Sequence, residues 1–229
     1  AIGEMVSNDP LMTLKVLSYA ATHRPARVVT DTETVTATLV MMGISPFFRV
    51  FGPQPTTAQR LAAHPEALEG LKEVIQRAHR GANFALGFAV HRMDPDAPVI
   101  HEAALLHDFA EMLLWCHAPS LALRIRQAQR ADPTLRSAAI QQEVLGIQLA
   151  DLQQALMKAW RLPELLIRIS DDHHAERASV RNVLLAVRLA RHTAGGWDNA
   201  AIPDDVADIA ALLNLSAGAA LHLVRSIEA

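Results

Sequence analysis

Ala103-Ala104-Leu105-Leu106-His107-Asp108-Phe109-Ala110 sets two metal-capable side chains next to each other in a run that is otherwise small or apolar. On a helix, neighbouring residues are turned by about 100°, so both side chains sit on one turn. His107 shares its face with Ala103, Ala110 and Leu114. It therefore points inward, where an unpartnered polar group costs roughly 1–3 kcal/mol. Two readings of the dipeptide stand open. His107 is a metal ligand, or it is satisfied by Asp108 or a backbone carbonyl.

The flanking sequence reads as helix on both sides. Ile100 to His117 has helical spacing, after a loop Asp94-Pro95-Asp96-Ala97-Pro98. Upstream, Glu66 to Val90 is the longest helical pattern, with a stripe of Leu71, Ile75, Ala78, Ala82, Ala85 and Ala89 whose small residues predict close packing. Near the start, Asp9-Pro10 reads as a capped helix opening, followed by helical spacing over Leu11 to Ala21 and a break at Arg24-Pro25. A second helix is expected over Thr32 to Met42, capped by Asp31 or Thr32 and stopped by Gly43. Ser45-Pro46 opens a third through Phe51, and Gly52-Pro53-Gln54-Pro55 is a loop. Downstream, Pro119 and Pro133 punctuate two helices, and Gly146 lies in or between later ones. A helix that begins near Pro163 is read as running to His173-His174. Ser179 to Thr193, Pro203 to Leu213 and Ser216 to Ile227 complete an all-α chain. The loop at 52–55 divides it into an N-terminal helical lobe, residues 1–55, and a C-terminal lobe, residues 56–229.

Bulk composition narrows the function classes. Hydrophobic residues are 51% of the 229, enough for one large helical core, and much of that content is Ala and Leu, which favour helix over strand. The net charge is −3 with both signs intermixed, so no basic field invites nucleic acid or a membrane surface. The lone Cys116 excludes an internal disulfide and any zinc site built from several thiolates. Charge interrupts every apolar stretch, and Glu4, Asn8 and Asp9 interrupt any leader-like start. The expectation is a cytoplasmic chain. Its uncapped opening at Ala1 is what a fragment of a longer protein would show.

Two further sites could join His107 and Asp108. His79 lies with Ile75, Ala82 and Leu86, and His173 follows Leu166 and Ile169 with His174 beside it. A buried divalent metal needs several N or O ligands converging from different helices. His79, His107, Asp108 and His173 form such a set if they converge.

The run Leu105 to Ala110 resembles the "GLLHDIG" signature of HD-type phosphohydrolases, and more closely that of their HDOD branch. Other blocks agree in order and spacing. Asn8-Asp9-Pro10-Leu11 with Lys15-Val16-Leu17 resembles "DPxLxxKVL", and Met42-Gly43 the "LG" that ends the next helix. His79 matches the first histidine of the HD pattern. Glu143-Val144-Leu145-Gly146 resembles "ExxLG", Trp160-Arg161-Leu162-Pro163 "WxLP", and His173-His174 the "HH" that follows. The departures are as informative. Leu149 stands where a histidine often follows "ExxLG". Val187 and Arg188 stand near Ala186, where the closing acidic ligand is expected. Ala104 and Ala110 replace the signature's glycines.

The resemblance implies an HDOD fold with a degenerate metal site. His79, His107, Asp108 and His173 carry too little negative charge for the paired metals of phosphate-ester hydrolysis. A single divalent ion (Mn, Fe, Ni or Mg), or none, is expected. The implied function is a bacterial signal-transduction module without catalytic residues, which binds a protein partner or a nucleotide second messenger. The alternative is a metal-dependent phosphohydrolase acting on a nucleotide or phosphate ester. Val206 to Ser216 superficially resembles a helix-turn-helix, but Ala217 to Val224 offers almost no base-reading side chains, so a packed terminal hairpin is expected. Arg124, Arg126 and Arg130 form either a phosphate-facing stripe or a solvated face.

Overall fold

Proline starts and glycine stops divide the chain into short helices, and the computed structural model describes residues 2–23, 32–132 and 134–228. The breaks placed at Arg24-Pro25 and Pro133, and the candidate cap Asp31, lie outside those residues. Among the described residues all regular structure is helical. The opening group comprises α1 (Ile2–Ser7), α2 (Pro10–Thr22), α3 (Val35–Met42), α4 (Ile44–Val50) and the single turn α5 (Thr57–Arg60). Asp9 caps α2, accepting the Met12 N–H at 3.0 Å, and Pro10 follows where its missing N–H costs nothing. The cap of α3 is Thr34, not Thr32: its Oγ1 accepts the Ala37 N–H at 3.3 Å, while Thr32 shares a 2.7 Å hydrogen bond with Thr38.

The axis of the molecule is α6 (Pro65–His91), 27 residues long. Around it stand α7 (Ala97–Leu105), α8 (Phe109–His117), α9 (Pro119–Ala131), α10 (Ser137–Leu145), α11 (Leu149–Ala159) and α12 (Glu164–Ile169). A 3-10 turn (Asp172–His174) leads to α13 (Ala178–His192), α14 (Ile202–Leu213) and α15 (Ala217–Glu228). The small residues of α6 let α13 and α7 pack closest of all against it. A methyl placed on Gly81 would lie 3.5 Å from the Val187 Cα. Buried side chains form one continuous core from Val6 to Val224, with Phe84, Phe88 and Phe109 wholly enclosed.

Two predicted helices are shorter than the sequence suggested, and both breaks make the site. The helix expected over Ile100 to His117 stops at Leu105 and resumes at Phe109, leaving His107 and Asp108 in the turn between α7 and α8. The helix expected to reach His173-His174 ends at Ile169. Asp171 then accepts the His173 N–H and starts the 3-10 turn. Long-range partners hold the first break, through Arg77 and Asp172, and a local cap starts the second.

Glu102 fixes α7 to the N-terminal helices. Its Oε2 accepts the Val35 N–H, the opening donor of α3, at 2.8 Å. Burial pushes this carboxyl up to about 7 against the pull of that hydrogen bond. At the other end, α14 and α15 form a hairpin turned by 99° at Asn214, which has a left-handed φ of +54°. The face of α15 bearing Ala220 and Val224 is buried, and Arg225 stacks on Trp197 at 3.9 Å. Among the described residues no single helix is long and apolar enough to cross a membrane.

Candidate functional site

The turn between α7 and α8 exposes its two polar side chains to three other elements. His107 Nδ1 faces Asp108 Oδ1 at 3.0 Å, and its Nε2 faces both carboxylate oxygens of Asp172, in the 3-10 turn, at 3.3 Å. Burial works against charge on the imidazole, but the two carboxylates outweigh it and raise its pKa to about 9. His107 is therefore an imidazolium at neutral pH and donates from both nitrogens.

Asp108 is held from the other side. Its Oδ2 accepts Nε of Arg77 at 3.1 Å and Nη2 at 2.8 Å. Arg77 also donates to Glu111 Oε2 at 2.7 Å, and Arg191 of α13 brings Nη2 to 3.6 Å from Asp108 Oδ1. Burial alone would raise the Asp108 carboxyl. His107, Arg77 and Arg191 reverse that and hold it well below the usual carboxylate range. Glu111 moves the opposite way, raised by burial and by its neighbour Asp108 in spite of Arg77. Three cationic side chains thus face three carboxyl groups in one largely buried network.

The four sequence candidates do not share this site. His107 and Asp108 lie together. His79 is two residues past Arg77, about 200° around α6, on another side of the helix. Its presumed neighbour Leu86 is 36% exposed while Ala82 is buried, so His79 sits at the edge of the enclosed face. His173 projects outward, its side chain 74% exposed and its Nδ1 3.1 Å from Asp171. Where the sequence offered His79, the structure supplies Arg77, and where it offered His173, it supplies Asp172. Arg77 had a sequence signal: it is the one charge on the stripe Gly70, Val74, Gly81, all buried. Asp172 was adjacent to the histidine pair. Arg191 had none, being one turn beyond Val187 and Arg188, where an acid was sought. Val187 packs on Gly81, and Arg188 pairs with Asp205 and Asp208 of α14.

A divalent metal does not fit these residues. Both oxygens of Asp108 are committed to His107 and Arg77, both nitrogens of His107 face carboxylates, and two guanidiniums stand where a second cation would have to sit. Among the described residues no three His, Cys, Asp or Glu side chains gather in a way that could hold a metal ion.

The network forms one wall of a cavity of about 390 Å³. Val74, Leu114, Trp115 and Leu149 supply its apolar surface, and Gln141 and Gln153 its amides. Arg126 does not extend a basic stripe with Arg124 and Arg130. It turns in to Glu73 at 2.6 Å and lies 5.8 Å over the Trp115 ring.

The comparisons with known proteins follow this geometry. The sequence pattern of the HDOD domain matches residues 1–176. No curated protein sequence matches the chain. Among solved structures, it is similar to the MmoQ response regulator from Methylococcus capsulatus str. Bath, with TM-score 0.71 and 17% identity over 97% of this chain and 87% of that one. A virulence factor from Campylobacter jejuni subsp. jejuni gives 0.64 and 15% over 99% and 86%. An HDOD domain protein of unknown function from Geobacter sulfurreducens gives 0.53 and 13% over 99% and 84%.

Proposed function

Because the chain belongs to the HDOD domain family, we propose that it is a bacterial signal-transduction module that works by binding, with its His-Asp pair serving as structure and not as a catalytic metal centre. One observation carries this reading: the Asp108 carboxylate is clamped by the Arg77 fork while His107 is clamped between Asp108 and Asp172. Two guanidinium N–H groups on one carboxylate oxygen and the imidazole on the other hold the group in position and compete with a metal for its lone pairs. The partner is a signalling protein or a nucleotide second messenger. The setting we assign is the cytoplasm, in keeping with the single half-buried Cys116. Similarity to a response regulator supports the signalling class.

The rival reading is a metal-dependent phosphohydrolase, and one set of proteins separates the two. Wild type, His107→Ala and Asp108→Ala are purified, assayed for Mn, Fe and Ni, melted, and incubated with a generic phosphodiester plus added Mn. The expected result is sub-stoichiometric metal in all three, no turnover, and melting temperatures lowered in both variants. Breaking a partly buried ion network costs about 2–4 kcal/mol. Stoichiometric metal in wild type, lost in both variants together with measurable hydrolysis, would reverse the assignment.

A further inference from the structure

Two of the sequence blocks play no part around His107. Asp9-Pro10-Leu11 with Lys15 lies on α2, and Trp160 follows α11, yet the fold brings them to the same place. Together they line a cleft of about 610 Å³ between the N-terminal helices and the α6–α8 packing. That size is in the range of small-molecule sites, and a junction between packed groups of helices is a common place for one.

The chemistry of the cleft is lopsided. Its floor is Leu11, Ile75, Leu113 and Trp160, each packed on the core with one face still open. Its charged rim is cationic. Among the described residues the Lys15 ammonium meets only the neutral Gln54 amide, and Arg60, which ends α5, has no ion-pair partner. Arg60 and Cys116 both line the cleft. Asp9 is the one carboxylate lining the cleft, and its Oδ1 is already committed to the Met12 N–H. The described residues that line the cleft thus set two side-chain cations, Lys15 and Arg60, against one carboxylate, Asp9, over an open apolar floor.

We infer that this cleft binds a small amphipathic anion: an apolar or aromatic body against Leu113 and Trp160, with a carboxylate, sulfonate or phosphate head reaching Lys15 and Arg60. Because the walls come from α2 and α5 on one side and α6 and α8 on the other, an occupant tightens the first pair against the second. This deepens the regulatory reading by naming a ligand class. It does not depend on what His107 and Asp108 do, and its test reads binding alone, so either idea can fail without the other.

The test uses the full chain and two fluorescent probes of similar body, anilinonaphthalene sulfonate and the neutral phenylnaphthylamine. The sulfonate is expected to bind saturably at one per chain and to slow alkylation of Cys116, the sole thiol, which lines the same cleft. The double variant Lys15→Met, Arg60→Gln should weaken the sulfonate by about tenfold or more while changing the neutral probe less than about twofold. Arg124→Gln, an exposed cation elsewhere, should change neither. The inference is overturned if the double variant binds the sulfonate as well as wild type, if binding does not saturate, or if the bound probe leaves Cys116 alkylation at its free rate.

Discussion

His107 shows how a single side chain can be moved from chemistry to architecture. An imidazole with one carboxylate partner is an ordinary candidate for a base or ligand. With a carboxylate at each nitrogen it becomes a fixed cation, and its pKa of about 9 places the charge change outside the neutral range. The consequence for stability has a definite sign. An unfolded histidine titrates near 6.5, so the folded state binds the proton more tightly. The stabilisation is complete below about pH 6.5 and disappears as pH rises through about 9. Denaturant unfolding of wild type against His107→Gln should show a gap of about 1–3 kcal/mol near pH 6 that closes toward pH 10. Glu102 titrates in the same region but is common to both proteins and cancels in the difference. A gap that stays constant, or widens with pH, would mean that His107 is neutral in the native state.

At the scale of elements, the face α6 turns toward each neighbour is decided by its glycines. A methyl at Gly70 would lie 2.6 Å from the Trp115 ring, which is 3% exposed. At Gly87 the same methyl meets only the tip of Ile227, near the end of α15 and free to rotate. Both substitutions gain helix propensity of up to about 1 kcal/mol. Gly70→Ala is nevertheless expected to lose about 1–3 kcal/mol through overpacking, and Gly87→Ala to be neutral or slightly stabilising. Thermal melts followed by circular dichroism distinguish them; equal effects would show that the Trp115 ring gives way. The same glycines explain what could and could not be read in the sequence. Proline and glycine punctuation located the start of α2 and the ends of α3 and α13 because those signals are local. The facing of α6 was not local. Gly70 and Gly81 carry no apolar side chain, so the stripe through Ile75 and Ala82 hid a second buried face, and with it Arg77. Nothing between Leu105 and Phe109 breaks a helix by itself, so the interruption that frees His107 and Asp108 was invisible without the partners that hold them.

Across the whole molecule, the recognisable family pattern and the cooperative unit do not coincide. The HDOD match ends at residue 176, two residues before α13, the helix that packs most extensively on α6. That helix encloses Val183, Leu185, Ala186, Leu189 and Ala190 in the core and sends Arg191 to Asp108. It also receives Arg80 of α6, which donates to the Ala190 carbonyl at 3.2 Å and to Thr193 at 2.6 Å before reaching Glu228 of α15. Burying one Leu or Val contributes about 1.5–3 kcal/mol, while an entire domain retains only about 5–15 kcal/mol. The five Val and Leu side chains buried on α13 are thus a large part of what covers α6. A chain covering residues 1–176 should therefore be helical in part but melt without a cooperative transition, and should bind a dye for exposed apolar surface more strongly than the full chain. A sharp sigmoidal melt from that shorter chain would show that α6 finds enough cover among α7 to α12, and that the C-terminal helices are an attachment to the fold and not part of its core.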